Sequence, residues 1–209
     1  KMVTKKRLAL EAIRIEQEMI KENVGSQDQV VAAYGGLNKI EFAGNQKVEV
    51  RPMTIRGSRL DELQNHLMLF FTGFTRIASN LAKEVISQIP VKKRELDTLR
   101  TMVDDAVNIL NGDGDVTEFG RLLYESWKLK RAVSDKTSNS SIDDIYSSAI
   151  NAGAIGGKIL GAGGGGFILF FVKPEARQRV REKLDSLLYV PFRFDISGSQ
   201  IIYYSESGV

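Results

Sequence analysis

The run Gly161-Ala162-Gly163-Gly164-Gly165-Gly166 stands directly before the wholly apolar stretch Phe167–Val172, and that junction limits the folds open to the chain more than any other feature. An apolar run of strand length without alternation suits a strand buried on both faces, so the glycines must turn the chain at the rim of a packed sheet. The run contains G-x-G-x-x-G, but a dinucleotide fingerprint follows a strand and opens a helix. Here a helical pattern precedes and a strand follows, which removes that reading. Gly153 to Lys158 is not a phosphate-binding Walker loop either, since Ile159 stands where Ser or Thr is required. A flexible linker would join separate domains. This segment instead sits between a helix and a core strand, and glycines so placed imply close approach to another backbone or to a ligand.

Around that junction the periodicity alternates between helix and strand without a regular βα repeat. Leu8, Ala12, Ile15 and Met19 mark an amphipathic helix over residues 4–22, ended at Gly25. A glycine-containing segment runs to Gly36. Asn38–Phe42 and Lys47–Arg51 then flank Ala43-Gly44-Asn45-Gln46 as a hairpin. Residues 53–64 read as a connection, and the run from His66 to Thr72 as a strand closed by Gly73. Helices follow at 74–88, 91–111, 115–131 and 141–152, the last with a capping-box pattern at Ser141-x-x-Asp144. After the glycine run and its strand come a helix opening at Pro174 and strands near 192–196 and 200–204. The pattern predicts an α+β fold, an antiparallel sheet with helices packed on it, divided into residues 1–64 and 65–209.

Composition excludes more than it selects. The balance of 29 Lys+Arg against 26 Asp+Glu leaves a net charge of +3, spread over helix faces without interleaved aromatics, which argues against nucleic acid. No cysteine is present, so disulfide scaffolds and cysteine zinc sites are absent and a cytoplasmic compartment is the expectation. No apolar run reaches the roughly 18 residues of a membrane-spanning helix. Asn111-Gly-Asp113-Gly-Asp115 fails as a calcium loop, because Val116 and Leu122 occupy the positions where Gly and Glu are needed. It reads as a helix end followed by a helix start. His66, the only histidine, has no visible Ser or Cys partner and reads as structural.

One polar cluster remains. Gly25-Ser26-Gln27-Asp28-Gln29 sets a carboxylate among side-chain amides ahead of Ala32-Ala33-Tyr34-Gly35-Gly36, which by composition alone is a polar turn. In order with Tyr34-Gly35-Gly36-Leu37-Asn38, Glu41-Phe42, Phe71-Thr72-Gly73 and Gly161–Gly166 before Phe167, however, it resembles the GHMP kinases. Within them it is most similar to bacterial heptose-phosphate kinases, with fucokinase domains next.

The resemblance implies transfer of the γ-phosphoryl group of ATP to a sugar or sugar-phosphate hydroxyl, with Mg2+ as cofactor. It implies Asp28 as the catalytic residue facing the acceptor hydroxyl, and Gln27, Gln29, Gly35, Gly36, Thr72, Gly73 and Arg76 as substrate contacts. Gly161, Ala162, Gly163, Gly164, Gly165 and Gly166 would pack beside the nucleotide-phosphate loop. No Pro-x-x-x-Gly-Leu-x-Ser-Ser phosphate loop occurs in the sequence. Residues 1–64 are therefore expected to be the remnant of an N-terminal domain, residues 65–209 a C-terminal domain, and the chain a fragment, with no metal ligand assigned to it. A natural non-catalytic binding or regulatory module with the same fold is the alternative. Uncovered apolar surface would make a homodimer an expectation.

Overall fold

The computed structural model describes residues 3–44, 47–74, 83 and 85–203. They fall into two compact units. One comprises the described residues up to Met53 together with those from Phe194 onward, the other Thr54–Arg193.

In the first unit α1 (Lys5–Arg14) starts at Thr4, whose hydroxyl accepts the Arg7 N–H at 3.2 Å. It runs on as a π-helical turn over Ile15–Met19, and Lys21, at φ 61°, breaks it before Gly25. The segment read as loop is instead α2 (Gln27–Tyr34), which holds Val30 and Ala33 against Ala9 and Ile13 of α1. Only two buried positions on an eight-residue helix give too little periodicity to register in a sequence window. The hairpin forms as expected, β1 (Asn38–Ala43) against β2 (Lys47–Pro52), with Ile40 opposite Val50 and Phe42 opposite Val48. Ile40, Val48 and Val50 cover the same apolar cluster.

Residues 194–203 return to this unit as an irregular strap, not as the strands expected near 192–196 and 200–204. Their backbone partners are on α2 and just past its end: Gly36 N–H donates to Asp195 O at 2.7 Å, and Ser199 N–H to Ala32 O at 2.9 Å. Lys5 Nζ donates to both Tyr34 O and Ser197 O at 2.7 Å, joining α1, α2 and strap. The strap thus satisfies carbonyls at a helix end instead of a sheet edge.

The second unit opens on α3 (Gly57–His66), where a connection was expected. Its buried positions are Arg59, Leu63 and His66, so two of the three residues on its inner face are polar and the helical period is masked. The Arg59 guanidinium donates to Ile109 O at 2.8 Å, which lets the side chain lie buried. β3 (Leu67–Phe71) follows, then α4 (Lys93–Asn111), α5 (Thr117–Val133), α6 (Ser140–Asn151), β4 (Ala154–Ile159), β5 (Phe167–Val172), α7 (Arg177–Lys183) and β6 (Leu188–Val190). The sheet order is β4-β5-β3-β6, antiparallel throughout. Of the helix expected at 74–88, residues 83 and 85–88 are helical, Phe74 is not, and 75–82 and 84 lie outside the described residues. α6 is capped by Asn139, whose side chain accepts the Ile142 N–H at 3.0 Å, two residues earlier than the Ser141 pattern suggested. Asp115 accepts the Thr117 N–H at 2.9 Å and the Thr117 hydroxyl, so it serves to start α5.

Met68, Phe70, Ile168, Phe170 and Val172 pack one sheet face against Ile142, Tyr146 and Ala149 of α6, with Trp127, Val180 and Leu184 closing the cluster. Phe171 points the other way, fully buried beneath His66 at 4.8 Å and Phe119 at 6.3 Å between ring centres. β5 is therefore buried on both faces, as its unbroken apolar run requires. β4 went unread because Gly156 and Gly157 interrupt it: a Cβ on Gly156 would lie 2.1 Å from the Gly120 carbonyl oxygen of α5. This pair of helix and strand touches backbone to backbone. The packed unit confirms the antiparallel α+β architecture.

The two units divide the chain differently from a cut at 64/65. α3 belongs with the sheet that His66 and Arg59 help to close, and the strap belongs with α2. Among the described residues no helix is long and apolar enough to cross a membrane.

Candidate functional site

Two groups of candidate residues result, one in each unit. In the first, Asp28 is the second residue of α2, and both it and Gln27 are exposed. A carboxylate in the first turn is favoured by the helix dipole and by the unpaired N–H groups there. The approach to the helix is held by Gln17, whose Nε2 donates to Val24 O at 2.9 Å and to Ser26 Oγ at 3.2 Å. Gln29 turns inward: its Nε2 donates to the Glu16 carboxylate, and its Oε1 is buried without a partner. Gly35 and Gly36 terminate the same helix, roughly 10 Å from Asp28 along its axis at 1.5 Å per residue. Asn38 Nδ2 donates to Gly35 O at 2.8 Å there. Of the residues singled out in this stretch, then, Gln27 and Asp28 share one exposed helix start, Gln29 faces α1, and the two glycines occupy the other end.

The second group surrounds the glycine run. Gly163, Gly164 and Gly165 are buried, with Gly161 at φ 64°, Gly163 at 108° and Gly164 at 72°. Gly164 N–H donates to Thr137 O at 2.9 Å, and Gly166 N–H to Phe74 O at 2.8 Å. Gly166 O in turn accepts the Thr72 N–H at 2.8 Å and the Thr72 hydroxyl at 2.9 Å. Asn139 Nδ2 reaches Gly164 O at 3.4 Å. Thr72 is thus built into the loop, and Gly73, at φ 86°, lies beside it in open space. Arg76 lies outside the described residues. A Cβ on Gly163 would sit 2.9 Å from Thr137 O, a close approach that only glycine permits and the opposite of a linker.

Sequence reasoning passed over three participants. Thr137 is almost wholly buried in a short 3-10 turn and offers its carbonyl, which no side-chain pattern reports. Lys130 Nζ donates to Gly161 O at 2.7 Å and Ile159 O at 3.3 Å. Lys158 sits on β4, a strand the sequence pattern does not announce. Burial, and then the neighbouring Lys158 charge, push the Lys130 ammonium down to about 8, and burial lowers that of Lys158. In the sequence Lys130 belongs to the basic run Lys128–Arg131, indistinguishable from a solvated helix face, and Lys158 stands alone beside glycines. Burial above all, with smaller contributions from Tyr124 and Glu125, pushes the Tyr146 phenol up, despite its hydrogen bond to Gly157 O at 3.2 Å.

A cavity of about 500 Å³ opens beside the cap of α6, lined by Lys128, Arg131, Ser134, Ser138, Asn139 and Asp143 among others. Its cations are already matched, Arg131 by Asp143 and Lys128 by Glu125, each at 2.9 Å. His66 Nδ1 donates to Glu62 O at 2.7 Å, a helix-end contact in keeping with a structural role. Among the described residues no three His, Asp or Glu side chains lie close enough to hold a metal ion.

What an exposed carboxylate and a tightly folded glycine loop can do is clarified by comparison with known proteins. Residues 102–190 match the family model described as GHMP kinases C terminal. The chain is 33% identical over 175 residues to D-glycero-alpha-D-manno-heptose 7-phosphate kinase of Campylobacter jejuni, covering 83% of this chain and 51% of that enzyme. It is 26% identical over 185 residues to the bifunctional fucokinase/GDP-fucose pyrophosphorylase of Arabidopsis thaliana, covering 81% of this chain and 17% of that protein. Among solved structures, the D-glycero-D-manno-heptose 1-phosphate kinase of Bacteroides thetaiotaomicron superposes with a TM-score of 0.65 at 30% identity, covering 98% of this chain and 57% of that one. The chain therefore spans about half the length of the heptose-phosphate kinases it matches.

Proposed function

Residues 102–190 are a GHMP kinase C-terminal domain, and from that premise we propose that the chain is part of an ATP-dependent kinase that phosphorylates a sugar or sugar-phosphate hydroxyl. The observation that carries the reading is the 33% identity to the Campylobacter heptose 7-phosphate kinase over 83% of this chain. A heptose phosphate is accordingly the acceptor of first choice, with fucose-type sugars next.

In this reading the acceptor oxygen attacks the γ-phosphorus of ATP, the bond to ADP breaks, and the hydroxyl proton must leave. Asp28, exposed at the start of α2, accepts that proton or orients the hydroxyl by hydrogen bonding. Gln27 beside it donates to a neighbouring sugar hydroxyl. Gln29 contributes by holding α2 to Glu16, and Gly35 and Gly36 by fixing the far end of the helix to the strap. Thr72, Gly73 and Arg76 are proposed as substrate contacts on the family resemblance alone. The glycine loop presents backbone, not side chains, to the nucleotide-phosphate loop of the parent protein. Mg2+ would serve the phosphates of bound ATP. The described residues offer no cluster to hold the ion, so no step here depends on one. The proposal extends to a cytoplasmic parent protein able to pair as a homodimer.

The test is ADP release by the full-length protein with ATP and, separately, heptose 7-phosphate, heptose 1-phosphate and fucose. Acceptor-dependent release with one of them is expected. Release that no sugar stimulates would overturn the kinase reading.

A further inference from the structure

The turn that delivers Asp28 is not held by packing. Between Ile13 and Val30 no residue is buried, so the start of α2 takes its place from polar contacts. Two consecutive residues of the π-helical turn supply them. Gln17 Nε2 donates to Val24 O at 2.9 Å and to Ser26 Oγ at 3.2 Å, and the Glu16 carboxylate accepts the Gln29 amide. Ser26 and Gln29, the residues so gripped, stand two before and one after Asp28. Single π turns within helices recur at functional sites. A carbonyl oxygen only accepts, so the Gln17 amide can meet Val24 O only through its NH2 group, and its orientation is fixed. A serine before a helix ordinarily caps a first-turn N–H with its hydroxyl oxygen. Ser26 makes no such bond, and its oxygen goes to Gln17 instead. Local capping is given up for a tie to the preceding turn.

We propose that Gln17 is a positioning residue for Asp28. It touches no reacting atom. By holding Val24 and Ser26 it keeps the carboxylate two residues further on aimed at the acceptor hydroxyl, while Glu16 steadies the other side through Gln29. Both Gln17 bonds are exposed to solvent and add little to the stability of the whole. What they fix is a place, and a misplacement of about 1 Å can cost about 100-fold in rate. The assignment rests on Asp28 serving phosphoryl transfer.

The test is turnover of the full-length protein with ATP and its best acceptor, for wild type, Gln17→Met, Asp28→Asn and the double variant. Hydrogen exchange is followed at Val30 and Val31, whose amides close the first turn of α2. In Gln17→Met, kcat should fall about 10–100-fold, acceptor KM should change far less, and the two amides should exchange faster while those of β5 keep their protection. In the Asp28→Asn background the same change should slow turnover no further, because Gln17 acts only through the carboxylate. A merely structural residue would lower both backgrounds by the same factor. That result, unchanged exchange at Val30 and Val31, or a Gln17→Met protein at the wild-type rate beside a crippled Asp28→Asn one, would overturn the role of Gln17 and leave the kinase reading standing. Asp28→Asn turning over at the wild-type rate would overturn the reading of Asp28, and this assignment with it.

Discussion

Substituting alanine at two glycines of one loop separates a packed element from a flexible connection. At Gly163, φ is 108°, and a Cβ would lie 2.9 Å from Thr137 O and 3.1 Å from Thr137 Cα. Both neighbours are backbone, so relief requires moving the turn whose carbonyl accepts the Gly164 N–H at 2.9 Å. The unfavourable conformation costs about 1–3 kcal/mol, the overpacking about the same, and the weakened hydrogen bond about 1 kcal/mol. Since these overlap, Gly163→Ala should lose about 3–5 kcal/mol. At Gly161, φ is 64° and nothing lies within 4 Å of the added carbon. Only the left-handed backbone is penalised, and Gly161→Ala should lose about 1 kcal/mol. Urea unfolding followed by the fluorescence of Trp127, the single tryptophan and a buried one, reads this unit directly. A flexible linker predicts that both changes are neutral or slightly stabilising. Equal losses at the two positions, or a loss below about 0.5 kcal/mol at Gly163, would refute the packing argument.

Other consequences follow from the same geometry. Lys130 binds its proton less tightly folded, near pH 8, than in the unfolded chain, near 10.5. The unfolded state therefore holds more protons between those values, and stability should rise with pH across that window. Between pH 7 and 9.5 the gain reaches up to about 2 kcal/mol from this group, and denaturation of Lys130→Met should show a correspondingly shallower rise. Lys5→Met removes both 2.7 Å bonds that join the strap to α2, so the Gly36 and Ser199 amides should exchange with deuterium faster while amides of β5 keep their protection. Unchanged exchange at Gly36 and Ser199 would show that Lys5 does not hold the strap.

What the sequence made legible was whatever a single period could express. Phe167–Val172 stood out because no polar residue interrupts it, the hairpin because Ile40, Phe42, Val48 and Val50 alternate, and α4 to α6 because their apolar stripes are long. α3 was hidden because Arg59 and His66 supply its inner face, and β4 because the glycines that admit Gly120 of α5 look like loop. Strands are expected near 192–196 and 200–204, yet Ile201, Ile202 and Tyr203 are exposed and the strap's hydrogen bonds lead to α2 and its end. In the candidate site, Asp28 was visible by its ordered company, but its placement at a helix start was not. Thr137 acts through a carbonyl and Lys158 through burial, and neither property is written in residue type.

The central claim is that Asp28 serves phosphoryl transfer to a sugar hydroxyl. Turnover of the full-length protein with ATP and its best acceptor, compared between wild type and Asp28→Asn, tests it most directly. Because Asp28 is exposed and forms part of no core, the variant loses only the helix-dipole contribution and should unfold within about 4 °C of the wild type, while kcat falls about 10²–10⁴-fold and acceptor KM changes far less. An Asp28→Asn protein that turns over at the wild-type rate would contradict the account.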